Sequence, residues 1–538
     1  LGGFSNTNNS RMPNYDIRYS PNYNKVWDGA HMHELNALAG MQIKYTDRRI
    51  TSATQPGYQY KMGGVVYNDP NFYRMMADRK TDLYSAEELF DRFVAAYANA
   101  DYSFDRKYSI SATIRVDGSN ALGKSANKRW LPTWNFGAKW NIQNESFMEN
   151  ASDWVDVLSL RLSYGLTASM PQLASAGVVF RNQQSFNPGH SENQIYIEAL
   201  ENSDLTWEKS YQFNAGLDVT LFNNRMNFSF DYFNRKGFDL IATVKTSGIG
   251  GEFWKYANYA DLDSHGYDIT LGGTFIRSKD WTWSANFTLG YTWNRIKNAK
   301  NLTQTNELIR NEGGNKEGYP VNSLFSIPYA GLEPGTGIPL YINEKGEITK
   351  EIDKQGTDTD YLIYEGQVDP KWTGGFNTTV RYKNLSLNAF FTYQAGNVIR
   401  LDPIFSQSYS DLAALTNEFK NRYVMSGDSD VPAILDYVHN SISITDAGTY
   451  ASYNYTGKRV AKGDFIRLKS ISLNYDFSSD WISKSRFFKT ASVRFTVKDP
   501  WLIYSDKALN GRDPEFYNTG GVAMPTTTQF TLSLNLGF

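Results

Sequence analysis

The sequence predicts an all-β chain folded as a transmembrane antiparallel β-barrel, with about 14 strands in its 538 residues. Three observations point there: strands of strict two-residue alternation, connections whose very long members all fall in one alternating set, and aromatic residues gathered at strand ends. Alternation is informative because successive strand side chains point to opposite faces. At the carboxy-terminus, Phe530, Leu532, Leu534, Leu536 and Phe538 form one apolar face, and polar or small residues form the other. A strand between lipid and a wet lumen needs those two faces.

In chain order the strands are expected over 35–47, 88–104, 107–116, 132–142, 158–166, 206–221, 225–236, 264–277, 281–295, 371–382, 385–396, 464–477, 491–498 and 526–538. Ala215, Leu217, Val219 and Leu221 share one face after Trp207. Met226, Phe228, Phe230 and Tyr232 share one face of the next strand, across the turn at Asn223-Asn224. From Trp281 to Trp293 every odd position is apolar or aromatic, and Leu385, Leu387, Ala389, Phe391 and Tyr393 repeat the pattern. One strand departs from it: in Phe465–Leu473 the apolar phase switches near Arg467 and Lys469, which predicts a bulge or the outer mouth of a strand.

Down the chain the connections tend to run long, short, long, short, although 143–157 is no shorter than 117–131. The shorter set is 105–106, 143–157, 222–224, 278–280, 383–384 and 478–490; the longer is 48–87, 117–131, 167–205, 237–263, 296–370, 397–463 and 499–525. A soluble sandwich has no reason to put its very long loops on one side, whereas an outer-membrane barrel has short periplasmic turns and long extracellular loops. Trp130, Trp134 and Trp140, Trp281 and Trp293, and Tyr382 and Tyr393 then read as girdles at the two bilayer surfaces. About 14 strands either close on themselves, as a passive channel, or pair at both edges with other strands. An edge open to lipid is excluded because its backbone groups would go unsatisfied.

Composition narrows the function classes. Aromatic residues make up 15% of the chain, and no run of about 18 apolar residues marks a membrane helix. Mean hydropathy is -0.50, as alternating strands give. A formal charge of -2 lacks the basic excess of a nucleic-acid binder, and the absence of cysteine removes disulfides and thiolate metal sites. The chain starts Leu1-Gly2-Gly3-Phe4, which reads as an internal or processed start.

Several stretches resemble the carboxy-terminal half of the SusC/RagA family, the TonB-dependent transporters of Bacteroidetes outer membranes. They are Arg115-Val116-Asp117-Gly118-Ser119-Asn120, Leu131-Pro132-Thr133, Glu145-Ser146-Phe147, Leu160–Gly165, Asn202–Lys209, Glu317–Pro320, Gly463–Ile471, Gly511–Glu515 and Met524-Pro525-Thr526. Their order covers roughly 88–538; Ser203 and the Asp499–Leu502 stretch depart from the family pattern. The resemblance implies that the chain is the later part of a barrel of about 22 strands. The amino-terminal plug, the TonB box and the early strands then lie outside it. It further implies import of oligosaccharides or oligopeptides, driven through TonB-ExbB-ExbD by the proton-motive force. A SusD-like surface lipoprotein closes the mouth, and the SusCD-type pairs form a dimer within outer-membrane lipid. By the same resemblance, the loops at 167–205 and 237–263 are expected to correspond to those that family members use against the lid.

No catalytic residues, metal site or cofactor are expected. His31-Met32-His33 lacks a carboxylate on its own face, since Glu34 points the other way. His190 and His265 have no nucleophile motif beside them. Gly248–Gly251 lacks phosphate-loop spacing, and Asp428-Ser429-Asp430 is followed by Ala433 and His439 where a calcium loop needs Gly and Glu. The candidates are instead groups that stack on sugars or meet amides: Trp254, Tyr256, Asn258 and Tyr259 in one loop, and Asn397, Arg400, Asp402 and Tyr409 in another. The rivals are a self-closed 14-stranded passive outer-membrane channel, a rim hydrolase and a soluble carbohydrate-binding β-protein.

Overall fold

A computed structural model describes residues 3–27, 32–78, 83–170, 176–187, 190–248, 254–299, 303–405, 417–424, 431–432, 444–478, 487–517 and 527–537. These residues form two compact units. One comprises Leu1–Lys139, Ser163–Phe213 and Gly237–Ala260; the other comprises Trp140–Leu162, Asn214–Lys236 and Asp261–Phe538. Each expected strand segment contains a strand of one 18-stranded sheet, which also takes in four short strands near the amino-terminus.

In the first unit, His33–Gln59 pairs antiparallel with Tyr84–Phe104, which pairs with Tyr108–Ser119 across a tight turn. Asp105 and Arg106 take φ of 50° and 53° in this three-residue connection, a left-handed pair whose backbone suits the twist of the flanking strands, and Lys107 N–H closes the turn on the Phe104 carbonyl at 2.9 Å. The other edge of His33–Gln59 pairs with Gly3–Arg11, Asn14–Tyr19 and Asn22–Trp27, one strand interrupted near Pro13 and Pro21. No strand was expected over 3–27. The two prolines and the run of Asn and Tyr hide its alternation, yet both proline carbonyls still accept from the neighbour, Asp47 N–H at 3.1 Å and Ala39 N–H at 3.2 Å.

In the second unit the ladder runs Trp281–Ala299, Trp372–Tyr382, Leu385–Ala395, Phe465–Asp476, Thr490–Ser505 and Gln529–Gly537. Residues directly opposite one another share a face. One row therefore reads Trp283, Val380, Leu387, Leu473, Phe495 and Leu532, and the next reads Ser284, Thr379, Asn388, Ser472, Thr496 and Thr531. The apolar face ends in aromatic clusters at both margins. Tyr267, Tyr291 and Trp372 meet with centroids 4.5 to 6.0 Å apart, and at the other margin Phe275 meets Trp283 at 5.3 Å. From Trp283 to Tyr291 the strand covers about 26 Å at ~3.3 Å per residue, close to the ~25 Å apolar band of an outer-membrane barrel.

The expected loop bounds need correction. Loop 48–87 contains strand up to Gln59 and again from Tyr84, with a helix Pro70–Asp78 between. Loop 237–263 shrinks because strands run to Lys245 and resume at Trp254. Loop 167–205 contains a hairpin, Val179–Asn187 with His190–Ala199. Strand pairing thus continues beyond the stretch where lipid demands alternation, and periodicity is blind to that part. The described parts of loops 296–370 and 397–463 are folded as well. They hold the most deeply buried apolar clusters of the second unit, around Leu308, Phe325, Ile327 and Tyr341 and around Phe405, Tyr450 and Tyr453.

Substituting Ala389, mid-row between Thr378 and Ile471 on the apolar face, tests the assignment of faces. Ala389→Arg is expected to cost about 2–4 kcal/mol of folding free energy in lipid bilayers. Ser472→Arg on the polar face should stay within about 1 kcal/mol. Denaturant titration of the protein in vesicles measures both, and equal costs would remove the assignment of faces.

Candidate functional site

In the second unit the folded loops are organised by one buried cation. Arg400 lies in the strand Val398–Arg400, paired with Val460–Lys462, and is 1% exposed. Its guanidinium donates to the Phe325 carbonyl at 2.6 Å, the Thr456 carbonyl at 2.9 Å and Ser326 Oγ at 3.1 Å. Burial pushes its pKa down to about 10, so at neutral pH these acceptors still meet a full charge. One side chain thereby ties segment 323–327 to segment 454–460.

Around it runs an ionic strap. Asp402 accepts from Arg512, which also donates to Tyr517 Oη at 3.0 Å. Arg459 pairs with Glu418, and Asn510 donates to the same carboxylate at 3.1 Å. Lys462 N–H donates to Asp506 Oδ2 at 2.9 Å. Arg467 is buried between Asp513 and Glu515, the latter at 2.8 Å. Register shifts on either side of Arg467 turn it toward those acids, which accounts for the phase switch in its strand. Asn397 is buried against Gly463, whose N–H donates to the Asn397 carbonyl at 2.9 Å. A Cβ at position 463 would collide with the Asn397 amide, so the close approach requires glycine.

In the first unit, Trp254 and Tyr256 are both exposed at the start of the strand Trp254–Arg277. Lys245 Nζ stands 5.5 Å from the Trp254 ring centroid, within cation–π range. Tyr259 is half-buried. Asn258 turns its amide to backbone: Nδ2 donates to the carbonyls of Thr206 and Asp239, and Oδ1 accepts from Thr206 N–H.

The eight expected residues therefore divide. Trp254 and Tyr256 present rings outward; Arg400, Asn397 and Asn258 are structural in their contacts, and Asp402 is engaged by Arg512. Tyr409, like His31, Asp428–Asp430 and His439, lies outside the described residues. The expectation missed Arg459, Arg467 and Asp513. Arg467 and Asp513 stand in two of the stretches that carry the family resemblance, but nothing local pairs residues 46 positions apart. Of the described histidines, His33 Nδ1 lies 2.7 Å from Tyr102 Oη and His265 packs on Trp293 with centroids 4.7 Å apart. The arrangement supplies exposed rings and hydrogen-bonding loops, which is chemistry for holding a polar ligand.

The two-faced sheet, its aromatic margins and its folded loops are those of an outer-membrane β-barrel protein. The chain belongs to the TonB dependent receptor-like, beta-barrel family, whose model matches residues 2–498. It is 26% identical to TonB-dependent receptor P3 of Formosa agariphila, over 99% of this chain and 53% of that protein. It is 24% identical to TonB-dependent receptor SusC of Bacteroides thetaiotaomicron, over 86% of this chain and 45% of SusC. The fold is also that of the RagAB peptide transporter structure, with a TM-score of 0.77 at 23% identity, covering 99% of this chain and 56% of that one. The resemblance to SusC and RagA relatives thus extends to sequence and fold, and the chain spans about half the length of the curated relatives it matches.

Arg400→Met keeps the volume and removes the charge. It should leave the Phe325 and Thr456 carbonyls without donors and destabilise the folded loops by about 3 kcal/mol. Limited proteolysis is expected to cut near 323–327 and 454–460 while the strands stay protected. Unchanged cleavage would remove Arg400 from its organising role.

Proposed function

We propose that this chain supplies wall and loops to an energy-coupled outer-membrane importer of oligosaccharides or short peptides. The observation that carries the reading is the match to the TonB-dependent receptor barrel over residues 2–498. A plug and TonB-contacting segment in a longer polypeptide would couple transport to the proton-motive force through TonB-ExbB-ExbD. A SusD-like lipoprotein would close over the loops, as the likeness to SusC and to the RagAB transporter suggests. Trp254 and Tyr256 have exposed rings to offer a sugar or peptide face, whereas Arg400 and Asn258 hold the framework.

Strand parity supports the importer over a self-closed channel. Among the described residues the sheet makes fifteen passes when segment 3–27 is counted as one interrupted strand and the two-residue strand Val65–Val66, which only folds back on Tyr58 and Gln59, is not counted as a pass. An antiparallel barrel that closes on itself needs an even number. The free edge of segment 3–27 is also suited to pairing. Pro13 and Pro21 both turn their carbonyls toward His33–Gln59, so their missing N–H groups fall on that side and the outer edge keeps its donors. No enzymatic step is needed for the proposed role.

The experiment is uptake of labelled oligosaccharides and peptides by cells carrying the full-length protein, with and without a protonophore. Importer function predicts that uptake stops when the proton gradient collapses and when the protein is removed. Uptake that survives the protonophore but needs the protein would identify a passive channel instead.

A further inference from the structure

Three loops of the first unit begin at different hairpins, and a single set of hydrogen bonds joins them. The stretch Asn202–Trp207 lies at the centre. Its residue Thr206 belongs to no strand, yet both of its backbone polar groups are satisfied by the Asn258 side chain: Thr206 N–H donates to Oδ1 at 2.9 Å, and Nδ2 donates to the Thr206 carbonyl at 2.9 Å. The amide thus replaces a neighbouring strand. Nδ2 also donates at 2.6 Å to the Asp239 carbonyl, where φ of 55° breaks the regular strand. Asn202 reaches the same segment through Nδ2 to the Tyr256 carbonyl at 2.6 Å.

On its other side the stretch holds the loop that follows Ser119. Trp207 Nε1 donates to the Arg129 carbonyl at 3.0 Å and Thr206 Oγ1 to the Lys128 carbonyl at 3.3 Å. These two acceptors end the helical turn Ala126–Arg129, where carbonyls lack partners of their own. Gly123 N–H donates to the Leu205 carbonyl at 3.0 Å, and a Cβ at Gly123 would collide with the Ser203 carbonyl. Ala176 bridges the two segments, donating to Ala121 at 2.9 Å and accepting from Asn202 N–H at 3.0 Å. Leu122, Ala176, Leu205 and Trp207 pack together as a buried apolar cluster beneath these bonds.

We propose that Asn202, Trp207 and Asn258 are positioning residues that make segments 120–129, 202–207 and 254–258, with Ala176 between the first two, one cooperative body, and that this body presents the exposed Trp254 and Tyr256 rings to incoming cargo. The second half of the proposal rests on the import reading. The knot explains why an amide and an indole are needed at these positions. Asn258 must both donate and accept, which no carboxylate or aliphatic side chain of its size does, and Trp207 must place an N–H beyond its buried ring. Cooperative behaviour follows because each loop shares backbone partners with the stretch at the centre, and local opening proceeds in such linked units.

The test uses the full-length receptor with Asn258→Asp, Asn258→Ala and Trp207→Phe. Asn258→Asp is isosteric but sets an acceptor against two carbonyls; Trp207→Phe keeps a ring and loses the donor. Hydrogen exchange should accelerate about tenfold or more, together, at 121–129, 176 and 202–207 in every variant, although Asn258 makes no hydrogen bond to 121–129. The half-saturation concentration for uptake should rise about tenfold with the maximal rate retained, because presentation and not translocation is impaired. Heat-modifiable electrophoretic mobility shows that the barrel has folded. Acceleration confined to 205–207 and 239 in the Asn258 variants would overturn the cooperative body. Spread acceleration with unchanged half-saturation would overturn the positioning role. Absence of energy-dependent uptake in the unaltered protein would sink the import reading alone and leave the exchange result standing.

Discussion

A strand crossing a bilayer must hand every backbone N–H and C=O to its neighbours, because lipid accepts none of them. The rest of this structure follows from that constraint. It sets the antiparallel ladder, forces one face of each strand to be apolar, and leaves the opposite face to polar side chains. The cross-strand row from Trp283 to Leu532 and its neighbour from Ser284 to Thr531 are its direct expression.

The same constraint moves the hydrophobic core elsewhere. Apolar strand residues that face lipid bury little against protein, so packing of the ordinary kind appears where the chain meets water, in the loops. Leu308, Phe325, Ile327 and Tyr341 are nearly inaccessible, whereas Leu532 and Leu534 on the last strand are largely exposed. A loop with its own core can hold a buried cation. Arg400 is kept charged by three acceptors, and the Arg467, Asp513 and Glu515 group is similarly enclosed. Such buried charge contributes specificity of arrangement more than net stability, since its desolvation offsets much of the Coulombic gain.

Reading the candidate site from composition had a particular failing. Aromatic and amide residues in a loop look alike whether they wait for a ligand or bind the loop together. Asn258 and Trp254 are four positions apart, yet one completes the backbone pairing of Thr206 and the other faces outward. A loop can hold side chains out to solvent in a fixed place only when its own polar groups are already satisfied. Arg400 and Asn258 belong to that prior requirement, and the exposed rings of Trp254 and Tyr256 stand on it.

The sequence by itself determined where the central strands lie, which face of each is apolar, and which family the chain resembles. All of these are carried by a period of two or by short contiguous motifs, and both are local. It did not reveal the strand at 3–27, where prolines and asparagines blur the alternation, nor how far strands continue above the apolar band. Only the tertiary structure decided that Arg400 meets Phe325, 75 positions away, that Arg512 meets Asp402 across 110, and that Asn258 holds Thr206 across 52. Those pairings are set by how whole loops pack, and a single side chain carries no local sign of the distant carbonyl or carboxylate that will claim it.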